Sequence, residues 1–310
     1  MPDQVPVLDF RRVREAAFAE DISNAFKHYG FVAISHHPID RQLSERLLQL
    51  YREFFAWPAE RKKNYHQSGG GGARGYTPFG IETAKGASHY DLKEFWHVGR
   101  ELPAGHRLGR FMAPNVWIDD IAGFRDVSVA MFRAFDAMGL ELLGAIAISL
   151  GLERNWFDDK VQDGNSILRV IHYPPMPPNP EESVRAGAHE DINVITLLMG
   201  AEEPGLQLLT KQGQWLAVNP EPGTLVINVG DMLQRLTNNV LRSTSHRVMN
   251  PPRERAAHAR FSMPFFLHFN PEFEIHSLPQ CVRSEGIDHY PAPITADDYL
   301  QQRLREIKLK

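Results

Sequence analysis

The sequence predicts a mixed α and β protein, with a helix-rich N-terminal half packed onto an antiparallel sandwich or barrel in the C-terminal half. Three observations carry this expectation. A hydrophobic fraction of 43% against 23% charged residues over 310 positions is that of an ordinary globular chain. Apolar residues recur at three- and four-residue steps as far as Leu150, which is the period of helices. Beyond Asn165 the texture changes to short β-rich runs at 166–173, 189–199, 205–210, 215–218, 224–229, 245–249 and 260–269. Pro, Gly and Asn clusters separate them, the spacing of an antiparallel sandwich or barrel.

In chain order, Val5-Pro-Val-Leu-Asp-Phe reads as a short strand. Phe18, Ile22, Phe26 and Tyr29 then describe an amphipathic helix closing at Gly30, and Phe31–Ser35 is strand-like. Asp40 is placed to cap a second helix with Leu43, Leu47, Leu48, Tyr51, Phe54 and Phe55 on its apolar face. Pro58 ends or restarts it. Residues 68–80 are glycine-rich but lack the Gly-Lys-Ser/Thr that opens a helix in a phosphate loop, so they read as a plain loop. From Gly123 to Leu150 a stripe including Met131, Phe132, Phe135, Met138, Leu142, Leu143 and Ile146 marks a long buried helix, its Met and Phe serving as core. Pro174–Pro178 is a stiff connection, and Thr295–Lys310 reads as an amphipathic helix open to three roles: packing back on the core, covering the pocket or mediating a dimer.

The charges, 34 basic against 38 acidic, give a net −4 without long blocks of one sign, which argues against nucleic acid as the main partner. The single cysteine, Cys281, forbids an intramolecular disulfide and any Cys-x-x-Cys metal site. The opening residues lack the pattern of a signal peptide, and the apolar stretches fall short of a bilayer span. A cytoplasmic protein acting on a small molecule, away from membranes, is the expectation; oligomeric state is not legible.

His189-Glu-Asp191 opens one of the β-rich runs, and side chains at i and i+2 of a strand share a face. Alone this is weak. The composition predicts roughly two His-x-acid pairs by chance, and a second, His89-Tyr-Asp91, is present. What distinguishes the first pair is its sequel. His246 lies in another strand-like run, so two strands can bring two imidazoles and a carboxylate to one ion. Arg260-Phe-Ser262 then offers a guanidinium fork and a hydroxyl on one strand face, suited to a carboxylate. Tyr173 shares a face with Arg169 and Ile171 and is placed to donate to the same anion. His172 points to the opposite side, and Asp231 after Gly230 reads as a turn former rather than a fourth ligand.

These residues resemble the isopenicillin N synthase-like family of iron(II)/2-oxoglutarate-dependent oxygenases. The matching stretches are Ile171–Pro174, His189–Leu198, Gly205–Leu208, Asn228–Leu233, Thr237–Asn239, Arg242–Val248 and Arg260–Phe266, in the family's order. Val5–Phe10, the Gly30-Phe-Val turn and Asp91-Leu-Lys-Glu94 resemble its N-terminal region, and Asp91 in that stretch removes the His89 pair from consideration as a metal site. Two departures stand out. Ile171-His replaces the Asn-Tyr of many plant members, and a turn insertion at Pro251–His258 lengthens the gap between His246 and Arg260.

The resemblance implies a double-stranded β-helix (jelly-roll) core over 161–270. An N-terminal α/β region at 1–120, connecting helices at 121–160 and a C-terminal extension at 271–310 would surround it. It implies Fe(II) held by His189, Asp191 and His246, 2-oxoglutarate as co-substrate against Tyr173, Arg260 and Ser262, and O2 as oxidant, with no catalytic side chain beyond the metal ligands. Two His and one carboxylate leave about three positions open on an octahedral ferrous ion, which suits an oxygenase better than four-coordinate zinc. The implied reaction is oxidation of a small organic molecule, by default hydroxylation. Three other readings share these residues: an iron oxidase that anchors a substrate carboxylate on Arg260 and Ser262, a zinc hydrolase, and a non-catalytic binding protein. The substrate is not written in the sequence.

Overall fold

The computed structural model describes residues 4–67, 73–82, 90–176, 183–199 and 205–306. The chain begins with β1 (Val7–Asp9), α1 (Ala16–Tyr29), β2 (Phe31–Ser35), α2 (Arg41–Phe55), α3 (Ala59–Lys63), β3 (Gly75–Thr77) and β4 (Glu94–Gly99). Helix α4 (Phe124–Ser149) and the short α5 (Asp158–Val161) lead into the β-rich half. That half holds β5 (Ile167–Tyr173), β6 (Ala186–His189), β7 (Ile195–Met199), β8 (Leu206–Leu209), β9 (Trp215–Ala217), β10 (Leu225–Val229), α6 (Asp231–Leu236), β11 (His246–Val248) and β12 (Arg260–Leu267). The C-terminal elements are β13 (Glu274–Ile275), α7 (Pro279–Glu285), β14 (Ile294–Thr295) and α8 (Ala296–Glu306).

The helices form where apolar spacing and end signals agree. Helix α1 buries Phe18, Ile22 and Phe26 on one face and stops at Gly30, whose φ of 70° is left-handed. Helix α2 starts where the Asp40 carboxylate accepts from the Leu43 amide at 3.0 Å, and Pro58 stands at the N-terminal cap of α3. The Met and Phe stripe of α4 is core, with Phe135 stacked on Phe265 at 5.5 Å.

Gly30 also permits a close approach. A Cβ there would sit 2.7 Å from the Arg242 carbonyl oxygen, in the segment that leads into β11. Gly30→Ala is therefore expected to cost about 1–3 kcal/mol, from the left-handed backbone and the clash together. A lowered urea midpoint with an unchanged slope is the readout.

Two sheets face one another. The larger runs β1-β2-β10-β7-β12-β5-β4-β3 and the smaller β6-β11-β8-β9. Phe31, Ala186, Leu206, Leu208, Val218, Val226 and Val248 fill the space between them, while α4 covers the outer face of the larger sheet. This is the double-stranded β-helix with helices packed on it. Strands from the N-terminal region complete the larger sheet on both flanks.

Two sequence expectations change and one left open is narrowed. Within the 68–80 stretch read as a loop, Gly75–Thr77 form β3 and pair with β4. The run 189–199 is two strands on different sheets: β6 ends at His189, and the chain crosses through 190–194 before β7 begins. His189 and Asp191 therefore do not share a strand face, because Asp191 sits in the crossing. The C-terminal helix, open to several roles, packs back on the core through Arg303 Nε, 3.2 Å from the Asp231 carboxylate. Among the described residues no helix is long and apolar enough to cross a membrane.

Candidate functional site

The smaller sheet brings the two histidines together. His246 opens β11 directly opposite His189 at the end of β6, with ring centroids 4.4 Å apart. Each ring is oriented by its own chain: His189 Nδ1 lies 2.7 Å from the Gly187 carbonyl oxygen, and His246 Nδ1 lies 3.1 Å from that of Thr244. With Nδ1–H donating to those carbonyls, each Nε2 carries the free lone pair. Both Nε2 atoms face one oxygen, Asp191 Oδ1, at 3.9 Å each. The three ligand atoms lie within 4.8 Å of one another, as donors around a single ion do.

The larger sheet holds the carboxylate. Thr196 Oγ1 donates to Asp191 Oδ2 at 2.5 Å and Asn228 Nδ2 donates to the same oxygen at 2.8 Å. Oδ2 is thereby occupied, and Oδ1 is turned toward the imidazoles. Phe31 meets the His246 ring edge-to-face at 5.4 Å. Burial raises the Asp191 pKa, but the two imidazoles and the two hydrogen bonds outweigh it, so the carboxyl is held below its ordinary value. His189 is held down to about 4, first by desolvation, then by the neighbouring His246 imidazole and by the Lys93 ammonium, against the pull of Asp191. A neutral imidazole beside an ionised carboxylate is the donor set a divalent cation requires.

Thr196 and Asn228 escaped the sequence reading because only cross-strand register (Asn228 opposite Thr196) brings them to Asp191. Asn228→Ala is expected to weaken metal binding ~10–100-fold while leaving the fold intact. Calorimetric titration with Mn(II), alongside circular dichroism, measures this.

Arg260 pairs with Tyr173 and Ser262 with Ile171 across β12 and β5, so all four face the barrel interior. Arg260 is 4% and Ser262 3% exposed, and the Arg260 guanidinium lies 5.0 Å from the centroid of the Tyr173 ring. A second buried guanidinium, that of Arg185, lies 5.8 Å from the same ring and was not anticipated. His172 points to the opposite face, its Nδ1 2.8 Å from Glu94. Asp231 opens α6; its amide donates to the Asp191 carbonyl oxygen at 2.7 Å, while its carboxylate faces Arg303. His89 lies outside the described residues, as do 68–72 of the glycine-rich loop and 177–178 of the proline-rich connection.

Comparison with known proteins agrees with this geometry. Residues 164–269 match the 2OG-Fe(II) oxygenase superfamily, and residues 5–120 match the N-terminal domain described as "non-haem dioxygenase in morphine synthesis". A 2-oxoglutarate-Fe(II) type oxidoreductase of Emericella nidulans is 32% identical over 97% of this chain and 89% of its own. A crystal structure of a 2OG-Fe(II) oxygenase family protein from Caulobacter crescentus is 53% identical, with a TM-score of 0.91 over 98% of this chain and 99% of that one. A full-length Neurospora crassa protein, crystallised with α-ketoglutarate and thymine, is 31% identical with a TM-score of 0.85, covering 97% and 96% of the two chains. With both halves matched and relatives aligned nearly end to end, the chain belongs to the iron(II)/2-oxoglutarate-dependent oxygenase family.

Proposed function

We propose that His189, Asp191 and His246 hold iron(II), that Arg260, Ser262 and Tyr173 receive the distal carboxylate of 2-oxoglutarate, and that the enzyme hydroxylates a small organic molecule. The observation that carries this reading is the convergence of two Nε2 atoms on Asp191 Oδ1, together with a buried guanidinium and hydroxyl on the inner face of the larger sheet. When bound, iron(II) supplies the redox chemistry that couples oxidative decarboxylation of 2-oxoglutarate by O2 to oxidation of a C–H bond. The chain's own part is to position and to shield. Gly187 and Thr244 fix the imidazole tautomers, and Thr196 and Asn228 fix the carboxylate. Arg260 sets the co-substrate's direction, and the apolar side chains between the sheets limit water near the reacting centre.

The Neurospora crassa relative, complexed with thymine in one structure and with 5-formyluracil in another, supports a small molecule as the class of substrate. The test is succinate formation dependent on 2-oxoglutarate, iron(II) and O2, preceded anaerobically by the weak visible charge-transfer band of the iron–2-oxoglutarate chelate. Oxidation without succinate would instead favour an oxidase that uses Arg260 and Ser262 for the substrate's own carboxylate.

A further inference from the structure

The inner face of the larger sheet continues past the residues described so far. On β4, β5 and β12 it carries His97 opposite Arg169, then Gly99 opposite Ile167, which in turn faces Phe266. Phe266 is paired with Thr196, the residue that holds Asp191. Ile167, Arg169 and Phe266 are only half-buried although they point inward, so solvent reaches this part of the inner face.

Among the described residues the charges around this solvent-reached row do not cancel. Lys93 lies 2.7 Å from Glu82 and 2.8 Å from Asp91, and Arg169 lies 3.4 Å from Glu82. Two carboxylates answer these two cations. Arg74 is different. It is 2% exposed, and its guanidinium lies against the inner side of Gly99, where any Cβ would collide with it. Its Nη1 donates to the Ala73 carbonyl oxygen at 2.7 Å and its Nη2 to Asn165 Oδ1 at 3.3 Å. Its Nε meets no acceptor among the described residues. A buried guanidinium served, among the described residues, by neutral oxygens alone is costly, and burial pulls its pKa down to about 10.

A second donor waits beside it. His268 follows Phe266 by two residues on the same face, is 7% exposed, and has an Nδ1 with no partner among the described residues. Its amide donates to Ser166 Oγ at 3.1 Å, and the β5–β12 register carried one step further sets it opposite Asn165, the residue Arg74 reaches. Burial, together with the Arg74 charge, holds His268 neutral with a pKa of about 4, although Asp191 attracts its proton. A neutral imidazole still offers one N–H.

We propose that Arg74 and His268 form a second anion subsite, which binds a carboxylate carried by the substrate to be oxidised while that substrate's apolar face rests on Phe266. The assignment rests on the proposed oxygenase function and names its substrate class: a small carboxylic acid. 2-Oxoglutarate is not the anion in question. Arg260 and His268 stand at opposite ends of one extended segment, on the order of 26 Å apart at ~3.3 Å per residue, and a five-carbon diacid is a fraction of that length.

The probes are benzoate and its neutral isostere benzamide, titrated anaerobically into the protein with iron(II) and saturating 2-oxoglutarate. Binding is followed calorimetrically and through the charge-transfer band. Benzoate is expected to bind at least tenfold more tightly than benzamide. In Arg74→Gln that preference falls to within twofold, while 2-oxoglutarate affinity and the band persist and show the variant folded. His268→Gln is expected to weaken benzoate three- to tenfold. Equal binding of the two probes, an undiminished preference in Arg74→Gln, or loss of 2-oxoglutarate affinity in that variant would each overturn the subsite. A protein that prefers benzoate but gives no band keeps the subsite and refutes the iron and co-substrate assignment.

Discussion

His189→Ala is expected to abolish the anaerobic charge-transfer band and to lower turnover on the order of 10³-fold or more, since the open iron site depends on all three protein donors. His246→Ala and Asp191→Ala should behave alike. The reason is geometric: both Nε2 atoms converge on a single carboxylate oxygen, and removing any corner leaves two donors that no longer enclose an ion. His89→Ala, in the competing His-x-Asp pair, is expected to keep the band. Spectra of the four variants at equal iron and co-substrate decide the matter; a band that survives His189→Ala and vanishes in His89→Ala would remove the assignment altogether.

Arg260→Gln is expected to raise the 2-oxoglutarate concentration for half-maximal turnover on the order of 10²–10³-fold, the usual consequence of truncating one partner of a buried charged pair. Iron affinity, measured without co-substrate, should change little, because Arg260 lies on β12 and the three donors lie on β6, β11 and the crossing between sheets. Ser262→Ala should shift the same constant by a smaller factor, as loss of one hydrogen bond to a charged group does. If Arg260→Gln left 2-oxoglutarate dependence untouched while impairing oxidation of the prime substrate, the guanidinium would belong to that substrate.

Much of this molecule is legible in its residue order. Helices α1, α2 and α4 announce themselves because one face must be apolar, and Gly30, Asp40 and Pro58 mark their ends for reasons of backbone geometry. The three donors and the Arg-x-Ser pair are visible as residue types in order. What stays hidden depends on register. The run from His189 to Met199 looks continuous since Ile192, Val194 and Ile195 suit either sheet, and nothing local marks the crossing. Strand β4 is hard to see for another reason. Its Glu94 and His97 read as surface residues, yet Glu94 is buried against Lys62, Tyr76 and His172. Arg74 and His268 lie nearly two hundred residues apart and meet the same row of the sheet only after folding.

Strand β6, which ends in His189, lies at the margin of the smaller sheet. Its outer side is stitched to residues from far earlier in the chain: the Gly187 amide donates to Asp91 Oδ1 at 2.9 Å, and the Leu92 amide donates to the Val184 carbonyl oxygen at 3.0 Å. The region before Asn165 thus acts as a splint for one corner of the donor triangle. Excising the catalytic half to graft it elsewhere would leave that strand with a bare flank, so a transplantable oxygenase cassette cut from this scaffold must carry its early segment along.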